Sequence, residues 1–190
     1  MTHETDSMVP KRRFYGETGN TFIGILETQQ VNNNKILDQQ GWTGRRVLGF
    51  KLPEWQRPER WTDEQSASFI ESVFLGANIG SFMYNSHLHH ELSEIVLDGQ
   101  QRLRALERYW NGEFSVTGED GAEHSWTDLS DLGKAHMRRM TFPYVMTQYS
   151  TEGLMREAYN RHNFSGTAHL ITEMAPDTEN MRDAALAPRM

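Results

Sequence analysis

The stretch from Leu97 to Leu106 constrains the fold most, because an apolar run breaks at Asp98-Gly99 and an amphipathic helix begins at once. A strand therefore hands over to a helix without a linker. The first N–H groups of a helix lack intrahelical partners, and the helix dipole adds partial positive charge there. The junction is a ready anion site, and phosphate is the first anion to expect. Asp98 and Gly99 alone fit a tight turn whose aspartate caps the helix equally well. Gln100, Gln101 and Arg102 on the first turn go beyond that need, since such groups are costly to bury unpartnered and are not required to start a helix.

At 190 residues the chain has room for one domain with a core. A hydrophobic fraction of 37% and a mean hydropathy of −0.70 fit a polar-surfaced globular protein with some unstructured length. No run approaches the ~18 apolar residues of a membrane span, and the charged stretch Met1 to Arg13 holds no apolar signal core. Neither a membrane partner nor secretion is expected. The absence of cysteine excludes disulfides, thiolate metal ligation and a thiol nucleophile, and the cytoplasm is the expected location. The net charge of −7 argues against coating nucleic acid by bulk electrostatics. It leaves open a local basic groove lined by Arg45, Arg104 and Arg139.

Residues 1–20 read as a flexible N-terminal tail, 21–171 as a single domain and 172–190 as a C-terminal tail. Strands are expected over Thr21 to Leu26 and Val47 to Leu52, with a loop at Asn32-Asn33-Asn34 and an ordered loop at Glu54 to Pro58. Thr62 and Gln65 have capping-box spacing, which predicts a helix to about Leu75 ended by Gly76. Strands then follow at Ile79 to Tyr84 and Glu94 to Leu97. The helix from Gln100 to Trp110 buries Leu103, Leu106 and Trp110, points Arg104 and Arg108 outward, and stops at Asn111-Gly112. A short strand at Phe114 to Val116, a helix starting near Trp126, an edge strand at Phe142 to Met146 marked by Pro143, and a helix over Thr151 to Asn163 complete the series.

Two other segments carry chemistry. Gln56-Arg57 sits in a proline-flanked loop beside Trp55, and Tyr159 to Thr167 presents Arg161 and Asn163 at a helix end that also reads as a C-cap. Three arginines, several amides and one well-placed carboxylate, Asp98, suit phosphate recognition, because Arg binds two oxygens at once and backbone N–H groups complete the cradle. Asp98 then becomes the candidate ligand of a divalent metal. His87, His89, His90 and Glu91 form a second cluster, without the i,i+4 spacing of a helical metal site. A Walker Gly-Lys-Ser/Thr pattern and a Gly-x-Ser-x-Gly elbow are both absent.

The ordered series Leu52-Pro53-Glu54-Trp55-Gln56-Arg57, Trp61 before a helix, Gly76 with Ile79-Gly80-Ser81, and Leu97-Asp98-Gly99-Gln100-Gln101-Arg102 resembles the DGQQR-signature domain of GmrSD-type modification-dependent restriction enzymes. The Tyr-x-Arg-x-Asn-x-x-Gly run at Tyr159 to Gly166 is similar to that family's later element, and the resemblance covers about residues 47–170. It implies an α+β fold of the ParB/sulfiredoxin-like kind, a small mixed sheet packed with helices, with the Gly99 to Arg102 turn against nucleotide phosphates.

It further implies binding of a nucleoside triphosphate with Mg2+ or another divalent cation, and its hydrolysis or phosphotransfer. Asp98, Gln101 and Arg102 would be catalytic, with Asp98 also holding the metal; Gln56, Arg57, Gly99, Gln100, Arg161 and Asn163 would bind the nucleotide. The family's separate HNH-like nuclease does not fit in residues 171–190, so the expectation is a stand-alone version in a phage-infected or bacterial cell, linked to DNA modification, restriction or anti-restriction. Two alternatives stand beside it: a DNA-binding or nicking protein, and a non-enzymatic phage protein that occupies a host defence factor.

Overall fold

The computed structural model describes residues 9–164. In chain order the elements are β1 (Glu17–Phe22), α1 (Ile23–Gln39), β2 (Arg46–Val47), β3 (Phe50–Lys51), α2 (Asp63–Phe74), β4 (Phe82–Asn85), β5 (Ile95–Asp98), α3 (Gln100–Trp110), β6 (Val116–Thr117), β7 (Glu123–His124), α4 (Asp131–Arg139), β8 (Thr141–Thr147) and α5 (Glu152–Phe164). Six strands make a mixed sheet in the order β1-β8-β4-β5-β3-β2, and β6 with β7 forms a separate ribbon. This is an α+β fold, as expected. The β3–β5 and β4–β8 pairs are parallel and the others antiparallel.

Alternation along β5 explains why it is buried on both sides. Val96 joins the larger core with Ile70, Phe82, Leu103, Leu106 and Phe142, while Ile95 and Leu97 point to a second core with Tyr149, Met155 and Ala158. The helix α5 thus covers one end of the strand that leads into α3.

Several elements differ from the sequence expectation for identifiable reasons. The expected strand over Thr21 to Leu26 is split, with β1 ending at Phe22 and α1 starting at Ile23. Burial of Ile23, Leu26 and Leu37 on one side of α1 outweighs the weak helix propensity of Asn32 to Asn34, which lie inside the helix and not in a loop. Glu17 to Asn20, assigned to the N-terminal tail, pair with Pro143 to Met146 of β8. Residues 172–190 lie outside the described part of the chain.

Val47 to Leu52 is not one strand but a hairpin, because Leu48 and Gly49 both have positive φ, 47° and 79°, the pattern of a two-residue primed turn. A leucine at such a position hides the turn in the sequence. The buried Glu107 carboxylate accepts from the Leu48 N–H at 3.0 Å and holds the turn in place.

The capping box of α2 forms as read: Gln65 N–H donates to Thr62 Oγ1 and Thr62 N–H to Gln65 Oε1. The start of α4 is later than Trp126, at Asp131, where Ser130 caps the Gly133 N–H. Pro143 sits in a strand with neighbours on both sides, not at a sheet edge. Pairing with β4 begins only at Tyr144, so β8 is still open on that side where the proline lacks its N–H.

Candidate functional site

Gly99 is the joint between β5 and α3. Its φ of 87° is left-handed, and a Cβ there would come within 2.6 Å of Phe82 Cβ and 2.9 Å of Phe82 Cα on β4. Glycine alone makes this turn against that strand. Among the described residues no side chain caps α3, and no acid occupies its first turn. The first intrahelical bond runs from Leu103 N–H to Gly99 O, 3.0 Å, so the N–H donors before it face outward.

The residues of that turn line a cavity of about 390 Å³. Gln56, Arg57 and Trp61 line it from the loop between β3 and α2, Phe69 and Ser72 from α2, Asn78 and Ile79 from the approach to β4, and Tyr159 and Asn163 from α5. Asp98, Gly99, Gln100, Gln101 and Arg102 form its floor. Of the nine residues singled out in the sequence, eight meet here. Arg161 does not: its guanidinium pairs with Glu157 at 3.1 Å and lies over Phe14. Tyr159 and Asn163 are four apart on one helix face, and a residue midway between them is turned roughly 200° away.

The amides fix the walls. Gln56, only 4% exposed, donates to Val96 O. Gln101 Oε1 accepts from the N–H groups of Arg60 and Trp61 at 3.0 and 3.1 Å. With its amide oriented to suit its neighbours, Gln100 donates to Arg57 O and Gln56 Oε1, both 3.2 Å, and accepts from Arg45 at 2.9 Å. Arg45 also donates to Gln56 O at 3.0 Å. The loop from Gln56 to Trp61 is thereby tied to the β5–α3 junction.

The charges are equally constrained. Arg102 donates to Asp98 Oδ2 at 2.8 Å and to Ile79 O at 3.3 Å, and a Cβ on Gly80 would meet Arg102 Nη1 at 2.4 Å. Gly80 makes room for that guanidinium. His162, one turn beyond Tyr159, brings its Nε2 to 3.3 Å from Asp98 Oδ2. Trp55 packs edge-on against Tyr159, with centroids 5.2 Å apart, and Arg156 lies over Trp55, so α5 is held onto the loop that walls the cavity.

Sequence reasoning gave no site role to Trp61, Ser72, Asn78, Tyr159 or His162. The i,i+3 and i,i+4 spacing of Tyr159, His162 and Asn163 was the available signal for the last of these. Ser72 carries no such signal.

Among the described residues no three His, Asp or Glu side chains converge as a metal site. His87 and His89 lie with their rings tilted by 30° and centroids 5.1 Å apart, and the His89 backbone N–H donates to His87 Nδ1. Burial pushes the Lys51 amine below and the Glu94 carboxyl above their ordinary values, but both line a separate cavity of about 220 Å³. The expected basic groove loses two of its three arginines to internal partners. Arg104 pairs with Glu107 and Glu59 and donates to Arg46 O, and Arg45 is held by backbone carbonyls. Arg104 and Arg108 are therefore ion-paired, not free outward charges; Arg108 holds Asp63 and Glu113.

Comparison with known proteins gives one family. The model of the family described as "GmrSD restriction endonuclease, N-terminal domain" matches residues 31–180. No curated protein and no solved structure matches the chain. Among the described residues no helix is long and apolar enough to cross a membrane.

Proposed function

Since the chain belongs to the family of GmrSD restriction endonuclease N-terminal domains, we propose that it serves DNA restriction by binding a nucleoside triphosphate at the first turn of α3 and hydrolysing it. The carrying observation is the uncapped start of α3, open to a cavity that also holds Arg57 and Arg102. Phosphate oxygens accept from the free N–H groups of that turn, and the helix dipole adds to the attraction. Arg102, held by Asp98 and Ile79, acts as a fixed positive charge under the site. Arg57, exposed at the rim, is free to follow the phosphates.

Among the described residues Asp98 is the one carboxylate lining the cavity. Mg2+ commonly binds through one or two carboxylates together with substrate phosphates and several waters, so a single aspartate beside the phosphate turn fits a cation that arrives with the nucleotide. Such a cation supplies charge neutralisation at the phosphoryl group. The protein's own part is positional: Gln56, Gln100 and Gln101 fix the walls, and Asp98 is oriented by Arg102 and His162. Hydrolysis then breaks the bond from the terminal phosphorus to its bridging oxygen, with water as nucleophile and a diphosphate and phosphate as products.

Calorimetry of the purified chain with the four nucleoside triphosphates, in Mg2+ and in Ca2+, together with phosphate release in Mg2+, tests both halves. Saturable binding with release of phosphate is expected. Folded protein that binds none of the four overturns the proposal, and binding without turnover reduces it to a nucleotide sensor.

A further inference from the structure

The cavity has two chemically different kinds of lining. One is the charged first turn of α3; the other is Trp61, Phe69 and Ile79, with the polar groups of Ser72 and Asn78. The Trp61 and Phe69 rings are inclined at 54° with centroids 5.6 Å apart, so Phe69 packs against the indole while Trp61, only partly buried, lines the cavity. Gln101 Oε1 holds the Trp61 N–H at 3.1 Å. The aromatic wall is therefore positioned by the same turn that offers the phosphate donors.

The two polar groups beside it have been left with defined roles. Asn78 Oδ1 accepts from the Gly80 N–H at 3.0 Å, which leaves its Nδ2 to donate. Ser72 Oγ donates its one proton to Ser68 O at 2.8 Å, which leaves its lone pairs to accept. An aromatic face flanked by one fixed donor and one fixed acceptor matches a planar heterocycle with alternating acceptors and donors on its edge. A cavity of about 390 Å³ is within the range of roughly 300–1,000 Å³ common for small-molecule sites.

We infer that this second lining is a nucleobase subsite, in which Trp61 stacks the base while Asn78 and Ser72 read its polar edge. The inference rests on the reading of the α3 turn as a phosphate site, and it assigns the residues that would distinguish a nucleotide from inorganic polyphosphate.

The test compares the Mg2+ complexes of the four nucleoside triphosphates with inorganic tripolyphosphate, by calorimetry, on the unmodified chain and on Trp61→Leu, Trp61→Phe and Asn78→Asp. Nucleotides should bind more tightly than tripolyphosphate, and Trp61→Leu should weaken nucleotides by roughly five- to a hundredfold, the span measured for base–aromatic stacking, while tripolyphosphate stays within about twofold. Trp61→Phe keeps a stacking ring and should recover most of the loss, which separates stacking from a general defect in folding. Asn78→Asp removes the donor and should reorder the four nucleotides, which share the same phosphate charge. Equal affinity for nucleotide and tripolyphosphate, weakened equally by Trp61→Leu, overturns the base subsite while the phosphate site stands. Binding of neither ligand overturns the phosphate reading and this inference with it.

Discussion

The helices α2 and α3 run side by side under the same cavity, yet their N-termini are finished in opposite ways. At α2, Thr62 and Gln65 exchange hydrogen bonds between side chain and backbone, and Asp63 and Glu64 answer the dipole. At α3 the capping position is Gly99, no side chain among the described residues caps the helix, and the first turn carries no acid. A cap is worth about 1 kcal/mol, so leaving one helix open forgoes stability that the same chain secures at its neighbour. The side chains at the start of α3 are polar but turned to other work: Gln100 and Gln101 hold the loop from Gln56 to Trp61, and Arg102 holds Asp98. The backbone N–H groups of that turn remain as donors. One terminus is closed by the chain itself, and the other is open to a ligand.

The most damaging way to probe this contrast is Gly99→Ala. The left-handed φ costs an L-residue roughly 1–2 kcal/mol, and the new Cβ must also move Phe82, whose Cα stands 2.9 Å away. Stability measured by urea denaturation should fall by about 2 kcal/mol or more, and nucleotide affinity should drop beyond tenfold because the N–H groups are displaced. Unchanged affinity in a folded variant would show that the open terminus is not where the ligand sits.

Next in size is Arg102→Ala. Both Arg102 and Asp98 have side chains 22% exposed, so the substitution leaves a largely enclosed carboxylate whose remaining ion-pair partner among the described residues is His162. Loss of a charge-assisted contact of about 1.5–3 kcal/mol corresponds to a ten- to hundredfold weaker nucleotide in calorimetry. Arg102→Lys should recover part of the charge but not the fork that reaches Asp98 and Ile79 together. Thr62→Ala should have a smaller and cleaner effect: about 1 kcal/mol of stability lost, with nucleotide affinity unaltered. If Thr62→Ala lowered affinity as steeply as Arg102→Ala, the two termini would not be functionally distinct.

How much of this contrast the sequence displays depends on distance along the chain. The α2 cap is legible because Thr62 and Gln65 are three residues apart, and the α3 junction because Asp98-Gly99 interrupts two clear hydrophobic patterns. The frame of the site is not legible in the same way. Gln56 is bonded to Val96, and Gln101 to Arg60 and Trp61, so the sequence shows surplus amides without showing the distant backbone groups they hold. Arg161 stands apart from the cavity on helical geometry alone, and its i,i+2 offset from Asn163 already contains that fact. The Leu48-Gly49 turn and α1 depend on tertiary partners, Glu107 for the first and the buried positions Ile23, Leu26 and Leu37 for the second. Local propensity points elsewhere at both.

Acid gives the mildest test of the difference between the two termini. The Thr62 hydroxyl first, and then the Glu64 backbone N–H, hold the Glu64 carboxyl below its ordinary value of 4.5. A depressed folded-state value means that the ionised form is favoured by folding, so its contribution is fully present above pH 4.5 and fades as pH falls through the lower folded value. Side-chain NMR titration should place Glu64 below 4.5 in the unmodified chain and move it upward in Thr62→Ala, where the largest cause is gone. The first turn of α3 has no acid to lose in this way. Adding nucleotide should therefore shift the amide resonances of Gln100 to Arg102 while leaving the Glu64 titration where it was. A Glu64 titration that follows the nucleotide, or ignores Thr62→Ala, would mean that the α2 terminus is not closed by its own residues.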